Sequence, residues 1–73
     1  MDEQFKSIGG IHDRVIEECA ELIQAIMKSN RFGHANYHPD RPDSPNWKEI
    51  LDEISDVRRV IDEYERLLRK NFP

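Results

Sequence analysis

Between Gly33 and Pro45 the chain carries a glycine and the prolines Pro39, Pro42 and Pro45, and no single helix can run through them. The stretch 31–45 is therefore read as a Pro-rich loop that divides the chain into two halves. On either side of it the apolar residues recur with a helical period. Ile11, Val15, Cys19, Leu22, Ile23 and Ile26 form one stripe, with Met27 at its margin. They predict helix one over 11–30, with Gly33 as its stop. Ile50, Ile54, Val57, Ile61, Tyr64 and Leu68, widened by Val60 and Leu67, predict helix two over 46–70. Asn46 followed by Glu49 has the form of a capping box. Residues 1–10 are read as a lead-in, because Gly9-Gly10 discourage helix.

With 73 residues, the chain has room for one small domain, 1–73. The expected class is all-α, a helical hairpin of two long helices. A hairpin alone leaves apolar faces uncovered, so the expected assembly is a homodimer forming a four-helix bundle, or a dimer of dimers. Cys19 is the lone cysteine, which excludes an internal disulfide framework and fits a reducing compartment. No segment approaches the roughly 20 apolar residues of a membrane span, and the first residues lack the apolar stretch of a signal peptide. The expectation is a cytoplasmic protein with no membrane contact. Net charge is −4, from 15 acidic and 11 basic residues, which argues against a nucleic-acid polymer as partner.

Each helical half holds an acidic signature, Glu18-Cys19-Ala20-Glu21 and Glu53-Ile54-Ser55-Asp56. Carboxylates three apart share a helix face. At about 100° per residue, Glu53 projects between Val60 and Tyr64, inside the apolar arc, and Asp56 lies on its edge. Glu18 borders the stripe of helix one, Glu21 lies about 60° further out, and Glu17 and Asp52 point toward solvent. An unpaired carboxylate in an apolar face costs several kcal/mol or is driven to its neutral form. Packed side by side, the two helices would point four carboxylates into one small volume, which predicts a divalent cation such as magnesium and, with it, phosphate chemistry. The competing reading makes them surface acids paired with Arg14, Lys28, Arg58 or Arg59.

Glu17-Glu18-Cys19-Ala20-Glu21-Leu22-Ile23-Gln24-Ala25 resembles the first-helix signature of the MazG-like, all-α nucleoside triphosphate pyrophosphohydrolases. Glu53-Ile54-Ser55-Asp56-Val57 resembles the paired signature on the next long helix. Arg31-Phe32-Gly33 and the Pro-rich stretch up to Asn46 look like small phage-type and bacterial members, so the resemblance spans roughly 11–61. It implies Mg²⁺-dependent hydrolysis of a nucleoside triphosphate between the α- and β-phosphates, giving the monophosphate and pyrophosphate, with Mn²⁺ as a substitute ion. Matching positions would make Glu18, Glu21, Glu53 and Asp56 the metal ligands. Glu17 and Glu18 would be catalytic, with Glu17 orienting or deprotonating the attacking water. Many members carry further helices around the base; here a partner subunit would complete the pocket, or the site would be open.

For phosphate contact, Arg31 ranks first, at the helix-loop junction, and Lys28 second, one turn below; Arg41, Arg58 and Lys70 follow. Phe32, Tyr37 and Trp47 either stack on a base or plug the bundle end, with packing favoured for Trp47. His34 and His38 have the spacing of a zinc pair, without the four well-placed ligands that zinc wants. Cys19 reads as core. A noncatalytic dimeric helical module, serving interaction or regulation, is the alternative function, and turnover separates the two.

Overall fold

The computed structural model describes residues 3–73, with side chains from Gly10 onward, as an antiparallel hairpin of two helices. Helix α1 spans Glu3–Phe32 and α2 spans Asn46–Asn71. The protein is all-α, two long helices packed against each other. No helix among the described residues is long and apolar enough to cross a membrane.

The lead-in expected over 1–10 is helical from Glu3, while Met1 and Asp2 lie outside the described residues. Gly9 and Gly10 lower helix propensity by about 1 kcal/mol each relative to alanine, yet they keep both backbone hydrogen-bonding groups, and a helix already propagating from Ile11 absorbs that cost.

The contact between helices is a seam with alternating steps of three and four. On α1 it runs through Ile11, Val15, Glu18, Leu22, Ala25 and Ser29, all buried or half-buried. On α2 it runs through Asn46, Ile50, Glu53, Val57, Val60, Tyr64, Leu67 and Asn71, again all buried or half-buried. This is the spacing of helices packed at a shallow angle. Val60 sits at its centre, fully buried. The stripe expected on α1 is rotated: Ile23, Ile26 and Met27 are exposed, and Glu18 takes a seam position instead. The apolar arc of α1 is wider than one helix-helix contact, so a single hairpin leaves its outer half uncovered.

Gly33 ends α1 in the left-handed region, at φ 98°, with its N–H bonded to the Ser29 carbonyl at 2.7 Å. The loop then folds back over the helix ends, closed by a single β-bridge between Tyr37 and Pro45. Asn46 does not cap α2, as the sequence suggested: Pro45 occupies the cap position and no side chain caps it. Asn46 is the first residue of the helix and is 2% exposed. Its N–H donates to the Asn36 carbonyl at 2.7 Å, and its Nδ2 donates to the Gly33 carbonyl at 2.8 Å. It thus ties the loop to both helices. Asn46→Ala removes the side-chain donor to the Gly33 carbonyl, which keeps the Asn36 N–H at 3.2 Å, and is expected to cost about 1 kcal/mol, read as a lower urea midpoint at unchanged slope.

Among the described residues the group of converging metal-ligand atoms is Glu18, Glu53 and Asp56, and neither loop histidine belongs to it. His34 Nδ1 is hydrogen-bonded to Ser29 Oγ, and His38 Nδ1 accepts the Asp40 N–H at 3.1 Å. Trp47, expected to pack, is half-exposed, as are Phe32 and Tyr37. Cys19 is half-buried on the margin of the seam.

Candidate metal centre

Charged residues flank the seam in steps of seven, the repeat that keeps a position on the same side of a helix pair. On α1 they are Arg14, Glu21 and Lys28; on α2, running the other way, Glu63, Asp56 and Glu49. The outer pairs are complementary. Arg14 Nη1 lies 3.3 Å from Glu63 Oε2, and Lys28 Nζ lies 3.2 Å from Glu49 Oε2. The middle pair, Glu21 and Asp56, is acid against acid, and it stands over the two seam acids Glu18 and Glu53.

The helices therefore bring the acidic signatures together. Oxygens of Glu18, Glu53 and Asp56 lie within 4.8 Å of one another. One oxygen of Glu18 and one of Glu53, both Oε2, are buried and have no hydrogen-bond partner. Glu21 is exposed and stands close beside Glu53. Burial raises the Glu53 carboxyl above its ordinary 4.5, and Glu21, Asp56 and Glu18 push it further the same way. Glu18 is raised by burial, then by Glu21 and Asp56, against a smaller lowering by Arg59 and Arg14. Arg14 is held by Glu63, and exposed Arg59 pairs with Asp56 of the cluster at 3.3 Å rather than with Glu18 or Glu53. The surface-acid reading is thus right for one contact and leaves the two seam carboxylates uncompensated.

Hard oxygen donors converging at this separation fit a hard divalent cation. Glu18, Glu53 and Asp56 would hold it, with Glu21 beside them. Glu17 is exposed and stands outside the cluster.

A cleft of about 330 Å³ opens beside the acids, lined by Glu21, Gln24, Ala25, Lys28, Arg41, Ser44, Glu49, Asp52 and Glu53. Its cations are Lys28 and Arg41. Both rest on Glu49, with Arg41 Nη1 at 3.3 Å from Oε1. Arg31, the first choice from sequence, lies in the exposed last turn of α1, where it complements the helix dipole, and lines neither this cleft nor the cavity beyond it. Glu49 was missed as an anchor for these cations because it was read as part of a cap. The steps of seven that pair Lys28 with Glu49 were legible in the sequence. Comparison with protein-family models, curated proteins and solved structures returns no match.

Proposed function

We propose that the protein is a Mg²⁺-dependent nucleoside triphosphate pyrophosphohydrolase that cleaves between the α- and β-phosphates. The observation that carries this reading is the convergence of Glu18, Glu53 and Asp56 within 4.8 Å, with two buried oxygens left unpartnered. A folded protein rarely retains uncompensated buried carboxylates without a use for them.

Glu18, Glu53 and Asp56 would hold the ion, which would supply neutralisation of phosphate charge and a more acidic water. Glu21 adds charge to the same side. Lys28 and Arg41 meet the phosphates from the cleft wall, Lys28 as a point charge and Arg41 with its planar fork. Glu17, exposed beside this group, takes the proton from the attacking water. Phosphoryl transfer needs positioning and charge neutralisation rather than a protein nucleophile, and these residues supply both. Mn²⁺, with similar oxygen preference, substitutes.

The test is incubation with ribo- and deoxyribonucleoside triphosphates and Mg²⁺, with the products resolved. Monophosphate and pyrophosphate are expected. Diphosphate and orthophosphate would contradict the assigned bond, and no turnover would leave a noncatalytic helical module.

The assembly belongs to the same proposal. Roughly 150° around α1 from Glu21 and Lys28 lies an apolar flank. It carries Ile16, Ile23, Ile26 and Met27 on α1 and continues onto α2 through Trp47, Leu51 and Ile61, all exposed. So broad a patch marks an interaction surface. A second copy laid on it completes a four-helix bundle and leaves the acidic flank open. Ile61→Glu is expected to convert the dimer to monomer in sedimentation. An unchanged sedimentation coefficient would refute this surface as the interface.

A further inference from the structure

We propose that the cavity at the loop end of the hairpin is a ring-binding site for a planar heteroaromatic base that carries an exocyclic amino group. The cavity measures about 290 Å³, and its walls include Phe32, Tyr37, His38, Pro39, Asn46 and Lys28. That is the lower edge of small-molecule pockets, right for one ring system rather than a whole nucleotide. Phe32 and Tyr37 are half-exposed, so their faces are available for stacking, which every base accepts.

Stacking gives no choice among rings; Asn46 does. Its Nδ2 is committed to the Gly33 carbonyl at 2.8 Å, an acceptor that fixes which end of the amide is nitrogen. Its Oδ1 is buried and has no partner. An acceptor left unsatisfied in a 2%-exposed residue calls for an N–H donor from outside the chain. An amino group on the edge of adenine or cytosine is such a donor. Reaching it takes a small outward movement of the exposed wall of Tyr37, His38 and Pro39, while the Asn46 N–H to the Asn36 carbonyl and Nδ2 to the Gly33 carbonyl hold the amide in place.

Lys28 lines both this cavity and the cleft beside the acids, so the two spaces are neighbours across one side chain. From Glu21 to Phe32 the helix rises about 16 Å at about 1.5 Å per residue, a span suited to an extended nucleoside triphosphate. The assignment of the ring to a nucleotide rests on the pyrophosphohydrolase reading; the cavity and its orphan acceptor do not.

Nucleosides without phosphate separate the two. In amide NMR titrations of the full, metal-free chain, adenosine is expected to shift Phe32, Gly33, Tyr37, His38 and Asn46. Purine riboside, which lacks only the amino group, is expected to bind about tenfold more weakly, because Oδ1 stays unpaired. Phe32→Ala, at an exposed position that leaves the seam intact, is expected to weaken adenosine by about tenfold as well. Equal affinity for adenosine and purine riboside, or shifts scattered away from the loop end, overturns the proposal. A Mg²⁺ titration of the same sample keeps the two readings apart. Loss of adenosine binding with Mg²⁺ still shifting Glu18, Glu53 and Asp56 refutes the ring site alone. Adenosine binding with no Mg²⁺ response supports the ring site and refutes the metal centre.

Discussion

Glu53→Gln is expected to lower Mg²⁺-dependent turnover by about 10³-fold while raising the stability of the metal-free protein, the magnitude being that of losing a preorganised charge from a reacting site. The substitution keeps shape and removes charge. In the wild type, Glu53 occupies a seam position, its Oε2 is buried without a partner, and Glu18, Glu21 and Asp56 surround it. Neutralising it relieves that repulsion and the desolvation of an ion at once. Stability gained with activity lost is the behaviour of a group retained for function. Glu63→Gln is the control, because Glu63 holds an exposed pair with Arg14 on the same flank of the hairpin. It should change stability by less than about 1 kcal/mol and leave turnover intact. Product quantitation and urea denaturation of the three proteins settle the matter. Full activity in Glu53→Gln, or a clear loss of its stability, would sink the metal reading.

The residues that defined the fold from sequence were those whose effects are local. Pro39, Pro42 and Pro45 break the backbone wherever they stand, so the division into two helices followed directly. Glu53 inside an apolar arc was equally legible, since angular placement needs only the helical period. What failed depended on competition between neighbours. Asn46 has the composition of a cap, but the loop's Gly33 and Asn36 carbonyls claimed its donors. Gly9-Gly10 look like a boundary only if the helix must nucleate there; it need not when α1 propagates from Ile11. The seam of α1 was misplaced because its apolar arc is broad enough for two contacts, and only α2 decides which half is used. Glu18 shows the consequence. Read as bordering the stripe, it sits in the seam, which is why it meets Glu53 across the pair.

The metal-free hairpin is expected to gain stability as the pH falls from neutral toward 5, and Mg²⁺ is expected to give a comparable gain at neutral pH. The carboxyls of Glu18 and Glu53 are both raised above 4.5 by burial and neighbouring acids. The folded state therefore holds these protons more tightly than the unfolded chain. Above the raised folded values both carboxyls are ionised in either state, and the fold carries the full repulsion. As the pH drops through those values the folded state takes up protons first, and stability rises. Below about 4.5 the unfolded chain is protonated too, and no further gain comes from this pair. A cation on the same oxygens does what the protons do. At a hundredfold excess over its dissociation constant it adds about 2.7 kcal/mol at neutral pH, and less as protons compete for the site. The wild type is read against Glu18→Gln/Glu53→Gln, which isolates the effect of these two carboxyls. The double variant should start more stable at pH 7, lack the gain on acidification and ignore Mg²⁺. Denaturation midpoints across pH 4 to 8, with and without the ion, supply the comparison. Identical profiles for the two proteins would mean that the seam carboxylates neither strain the fold nor bind a cation.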